Sequence, residues 1–139
     1  MTVVGILHPG SMGAAVAAQA SRNGAEVLWC PHGRSPATKE RAQRYGLASA
    51  GGLAELTERA DIILSICPPE YAEDVAVEVS AHLFTGIYVD GNAISPASMA
   101  RIYAIVARTG ATVVDGSVID SPSPASKSAR LYLFGPADA

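Results

Sequence analysis

Gly5-Ile6-Leu7-His8-Pro9-Gly10-Ser11-Met12-Gly13 is the stretch on which the reading of the fold turns. It closes Thr2–Leu7, an apolar run too short for a helix and rich in β-branched residues, as a buried strand is. It opens Ser11–Asn23, an alanine-rich helical segment that ends at Gly24, the residue type expected just past a helix end. Free backbone amides at such a helix start form an anion site. Gly10 permits close backbone approach to a pyrophosphate, and Gly13 lets the helix pack on the strand. A lone glycine motif is weak evidence, but here it sits in the strand–turn–helix context that the chemistry requires. His8, Pro9, Gly10, Ser11, Met12 and Gly13 are therefore expected to cradle a dinucleotide phosphate. His8 stands where a glycine is usual. Its ring is read either as a neighbour of the cofactor or as a turn histidine satisfied locally.

Outward from this stretch, strand and helix alternate. Glu26–Cys30, Leu47–Ser49, Asp61–Ile66, Ile87–Asp90, Thr112–Asp115 and Leu131–Phe134 read as strands. Ser35-Pro36 and Ser95-Pro96 read as helix N-caps followed by proline at the first helical position, with Gly46 and Gly110 as the stops. Leu53–Arg59 reads as a further helix. Glu70, Glu73 and Asp74 open another that runs to about Leu83, their charges favourable at its amino end. Val75 and Val79 give that helix an inward face. In the helix after Ser95, the inward stripe is Met99, Ile102, Tyr103 and Val106. Gly116–Ala129 reads as a serine- and proline-bearing loop. The pattern predicts a doubly wound α/β parallel sheet, one domain over residues 1–139, with ligands beyond the carboxyl ends of the strands.

Composition narrows the class. Of 139 residues, 49% are apolar and 17% charged, below the usual charged share of about 25%. Ten Lys and Arg against thirteen Asp and Glu give a net charge of −3, which argues against a nucleic-acid partner. No apolar run approaches the roughly 20 residues of a membrane span, and the first residues lack the basic start of a secretory signal. A cytoplasmic protein with no membrane partner is expected. Cys30 and Cys67 read as reduced core thiols, and no metal site is expected.

The second loop, Cys30-Pro31-His32-Gly33-Arg34-Ser35, bears on cofactor choice. An NAD site usually ends its second strand with an acid that accepts from the ribose hydroxyls, and none stands here. Glu26 lies at the wrong end of the strand. Arg34 offers a planar fork to a 2′-phosphate, Ser35 a hydroxyl and Lys39 a further cation. Ser35 also reads as an ordinary N-cap and Lys39 as a solvated helix residue. The balance favours NADP over NAD.

With these stretches in view, the chain resembles the N-terminal NAD(P)-binding Rossmann domain of the β-hydroxyacid dehydrogenase superfamily. That superfamily includes 3-hydroxyisobutyrate and 6-phosphogluconate dehydrogenases and the imine reductases. The resemblance rests on Gly10-Ser11-Met12-Gly13, Cys67-Pro68-Pro69, Asp90-Gly91-Asn92-Ala93-Ile94-Ser95-Pro96, and Asp115-Gly116-Ser117 with the loop and strand that follow. It implies an oxidoreductase that moves a hydride between NADP(H) and a small hydroxyacid, carbonyl or imine. By the same resemblance, Cys67, Pro68 and Pro69 would flank the nicotinamide ribose. Asn92 would take the place of the family's substrate-binding serine, and Ala93 that of its neighbour. Asp120 and Ser121 stand where a Gly-Gly pair holds a substrate carboxylate, and an acid there suits a cationic imine better. The family's catalytic lysine belongs to a helix expected beyond Ala139, in a C-terminal helical substrate and dimerisation domain absent from this chain. Lys127 reads as a solvated loop lysine, not as that catalyst. The full-length protein is expected to be a homodimer, and this isolated domain inactive.

The alternative is a stand-alone nucleotide-binding module that senses without turnover; Asn92 and the Asp115–Ser121 segment favour the enzyme. A short-chain dehydrogenase is disfavoured because no tyrosine has a lysine four residues later. The missing acid after the second strand counts against a methyltransferase, and the lack of a base near Cys67 against a thiol enzyme.

Overall fold

The computed structural model describes residues 2–7, 11–31, 35–119 and 130–134; for residues 11–12, 117–119 and 130–134 it describes the backbone only. Its elements run β1 (Val3–Ile6), α1 (Ser11–Arg22), β2 (Glu26–Trp29), α2 (Pro36–Arg44), β3 (Ala48–Ser49), α3 (Leu53–Arg59) and β4 (Ile62–Ser65). After a 3-10 turn at Pro69–Tyr71 come α4 (Ala72–Ala81), β5 (Ile87–Asp90), α5 (Pro96–Ala107), β6 (Thr112–Ile119) and β7 (Arg130–Phe134). The strands form one sheet in the order β3-β2-β1-β4-β5-β6-β7. The first six pair in parallel, and the order reverses between β1 and β4, whose neighbours lie on opposite sides of β1. This is the expected doubly wound α/β sheet. The last pair departs from the expectation of an all-parallel sheet. β7 runs antiparallel to β6, with Asp115 opposite Phe134 and Ile119 opposite Arg130. β6 accordingly extends through Gly116–Ile119, part of the segment read as loop. Its pairing with β7 supplies hydrogen bonds that local composition does not announce.

Side chains alternate across the sheet. Val4, Ile6, Val27, Trp29, Leu64, Val89 and Val114 pack on one face with Ala17 of α1 and Ala42 of α2. Leu28, Ile63, Tyr88 and Val113 face the other way, against Leu56 of α3, Val75 and Val79 of α4 and Ile102 and Val106 of α5. Both faces are covered, so the strands read as continuous apolar runs. Gly5 makes one of these contacts possible. A Cβ there would lie 2.6 Å from Leu56 Cδ2 and 3.3 Å from Ala60 Cβ, so α3 sits directly on β1.

Helix ends follow local chemistry. Ser35 and Ser95 cap α2 and α5, their Oγ atoms accepting from the N–H of Thr38 (3.2 Å) and Ser98 (3.1 Å), each followed by proline. Gly24 closes α1 with φ +93. α4 ends at Ala81 rather than Leu83, because Leu83 holds φ +58 at its carboxyl end and turns the chain away. The expected inward stripe of α5 needs one correction. Ile102 and Val106 are fully buried and Met99 half-buried, but Tyr103 is 58% exposed. Tyr103 lies about 100° around the helix from Ile102 and so falls past the edge of the apolar face. Among the described residues, no helix is long and apolar enough to cross a membrane.

Candidate cofactor site

The carboxyl ends of β1, β4 and β5 lie side by side, with α1 rising from the first of them. The first turn of α1 holds no acid, and Gly13, Ala14 and Ala15 are buried. A helix start without negative charge leaves its amides open to an anion, the role that the sequence leads one to expect of Ser11, Met12 and Gly13. His8, Pro9, Gly10, Arg34, Asp120, Ser121 and Lys127 lie outside the described residues, as do the side chains of Ser11 and Met12.

Two loops beyond β4 and β5 are joined by one side chain. Asn92 is buried, and its Oδ1 accepts the Cys67 N–H at 2.7 Å while its Nδ2 donates to Ser65 Oγ at 3.2 Å. The Asn92 N–H in turn donates to Asp90 Oδ1 at 2.9 Å, and the Gly91 N–H to the Ser65 carbonyl at 2.9 Å. The residue expected at the substrate therefore spends both ends of its amide bridging β4 to β5. Ala93, Pro68 and Pro69 are exposed beside it, and Cys67 is half-buried. Burial pushes the Cys67 thiol above its usual range; hydrogen bonds from Ser65 and Asn92 oppose the rise, and the Asp90 and Glu70 charges add to it. A neutral thiol is a poor nucleophile, which counts further against thiol chemistry.

Ser65 and Asp90 were not among the expected site residues, yet they anchor this bridge. A serine and an aspartate ending two otherwise apolar strands are the signal that could have found them. Asp90 is fully buried. Burial pushes its carboxyl up to about 6; hydrogen bonding with Asn92 pulls against the rise and the Asp115 charge on β6 supports it.

At the end of β2 the structure places two of the expected 2′-phosphate residues. Ser35 uses its Oγ as the α2 cap and shares a 3.0 Å hydrogen bond with Thr38 Oγ1. Lys39 is exposed and borders an open cleft of about 350 Å³ with Trp29, Pro31, Gln43, Leu47 and Ser49. Glu26 stands at the amino end of β2, paired with Arg59 at 3.1 Å, away from the carboxyl-end site.

Sheet order, glycine-opened helix and joined loops define a nucleotide-binding domain of the Rossmann type. The family described as NADP oxidoreductase, coenzyme F420-dependent, matches residues 3–93, and the chain belongs to it. An uncharacterized 28.5 kDa protein in the 7S RNA 5′ region of Methanothermus fervidus is 36% identical over 77 residues, 55% of this chain and 30% of that one. The conserved protein MTH1747, of unknown function and structurally similar to 3-hydroxyacid dehydrogenases, superposes with TM-score 0.82 at 26% identity, over 93% of this chain and 48% of its own. Mycobacterium tuberculosis 3-hydroxyisobutyrate dehydrogenase shares the fold at TM-score 0.83 and 20% identity (99% of this chain, 48% of that one). A Streptomyces aurantiacus imine reductase does so at 0.80 and 19%, with the same coverage. The chain spans about half the length of these solved structures.

Proposed function

We propose that this chain is the cofactor half of an NADP-dependent oxidoreductase that exchanges hydride with a small hydroxyacid, carbonyl or imine. The observation that carries this reading is the site at the strand-order reversal: an acid-free helix start beside β1, next to the β4 and β5 loops joined through Asn92. Hydride exchange is the chemistry a bound nicotinamide supplies. The chain's own part is to bind and orient it: the start of α1 holds the pyrophosphate, Cys67 and Pro68 flank the ribose, and Asn92 keeps their loop in place. NADP is favoured over NAD because Arg34, Ser35 and Lys39 follow β2 where an acid would select the ribose hydroxyls.

Proton delivery and exclusion of water need a second wall. The solved structures are about twice as long as this chain, so the proton donor is assigned to residues outside these 139, in a homodimeric full-length protein. The family description supports a second reading of the hydride partner, coenzyme F420 itself in place of a small substrate. Calorimetric titration with NADPH, NADH and F420 tests the reading. NADPH should bind most tightly, and no binding of either nicotinamide cofactor would overturn it. NADPH oxidation assays with small ketones, 3-oxoacids, cyclic imines and F420, on the full-length protein, then separate the two hydride partners.

A further inference from the structure

Beneath the bridge between β4 and β5 lies a carboxylate that binding alone does not require. Asp90 gives one oxygen to the Asn92 N–H at 2.9 Å. Its other oxygen, Oδ2, is buried and has no hydrogen-bond partner among the described residues, and the same is true of Tyr88 Oη two residues earlier on the same strand. A buried carboxylate costs free energy unless it is paired and fully hydrogen-bonded, and half of this one, among the described residues, is neither. Asparagine or serine would satisfy the Asn92 N–H without a charge to desolvate. Among the described residues, the groups around Asp90 offer it no cation: Ser65 and Cys67 on the β4 side, Tyr88 on its own strand, and Asp115 in register on β6. Glu70, near Cys67, adds a second negative charge.

We propose that Asp90 is a positioning and charge-tuning residue that makes this site favour the oxidised nicotinamide cofactor over the reduced one. The inference rests on the function proposed above. The oxidised nicotinamide ring carries a positive charge and the reduced ring carries none, while the rest of the dinucleotide is the same. A buried negative charge one residue pair below Asn92 therefore attracts only the oxidised form. A tenfold difference in affinity corresponds to about 1.4 kcal/mol, an attraction that a partly screened pair of charges inside a protein supplies. Protonation removes it. The carboxyl, held up to about 6, then switches the preference off within an accessible pH range.

The test measures dissociation constants of NADP+ and NADPH for the 139-residue chain between pH 5 and pH 8 and follows their ratio. Titration of the phosphates is common to both forms and cancels in it. The preference for NADP+ should grow roughly fivefold from pH 5 to pH 8, because bound NADP+ also draws the Asp90 carboxyl down. Asp90→Asn should flatten the profile, and Asp115→Asn should move its midpoint to lower pH. The last variant keeps the test decisive if Asp90→Asn does not fold. A pH-independent ratio in the unmodified chain, a profile retained by Asp90→Asn, or an unmoved midpoint in Asp115→Asn overturns the inference. Failure of both cofactors to bind overturns the proposed function together with it, so the two failures are told apart.

Discussion

Leu83 illustrates how single residues bear on this fold. It holds φ +58 and is 73% exposed, so it carries the strain of the left-handed region and offers little burial in return. Leu83→Gly should stabilise the chain by roughly 0.5–1 kcal/mol, measured by urea denaturation, since glycine adopts this geometry freely. Gly5→Ala should do the opposite. Its Cβ would enter the Leu56 side chain at 2.6 Å, and overpacking of this kind costs about 1–3 kcal/mol. Asp90 gives a pH dependence with a definite sign. Its carboxyl is pushed up to about 6 in the folded chain and sits near 3.9 in an unfolded one, so folding takes up a proton between these values. The stability this group contributes is present below about pH 4 and is lost as pH rises through about 6. Thermal melts of Asp90→Asn should therefore gain on those of the unmodified chain across that window; parallel curves would contradict the shift.

Elements are set by their ends. Ser95 caps α5 through the Ser98 N–H, and Ser95→Ala should cost about 1 kcal/mol of stability. Ser35 has the same role in α2, so its removal should lower stability as well as any cofactor affinity it contributes. Arg34 differs in expectation. Arg34→Ala should cost roughly 1–3 kcal/mol of NADPH binding and leave NADH nearly unchanged, because it removes a charge-assisted contact that only the 2′-phosphate can make. Calorimetry with both cofactors decides between them, and equal losses would end the case for NADP selection.

For the molecule as a whole, α1 couples the fold to the site. Gly13 is buried in the first turn of α1, so Gly13→Val should lose stability and NADPH affinity together. Intrinsic fluorescence melts and NADPH titration of one variant check both. Normal NADPH binding by that variant would place the phosphate loop elsewhere. The 139-residue chain should bind NADPH yet oxidise it far more slowly with a small ketone or imine than a chain carrying a second domain, of the length of the solved relatives, would. Comparable rates would mean that the proton donor lies within these residues.

The order of strands and helices was determined by the sequence alone. α3 and β5 occupy the residues that local pattern assigns them, and Gly24 ends α1, because apolar period, caps and turn residues act within a few positions of chain. Only the tertiary structure decided that β7 runs antiparallel and lengthens β6, that Tyr103 faces solvent, and that Asn92 reaches Cys67 across 25 positions to join two loops. It also decided that Asp90 ends in a fully buried place. Strand pairing, the edge of a buried face and the solvation of a carboxylate depend on neighbours brought together by packing, and no local window of residues contains them.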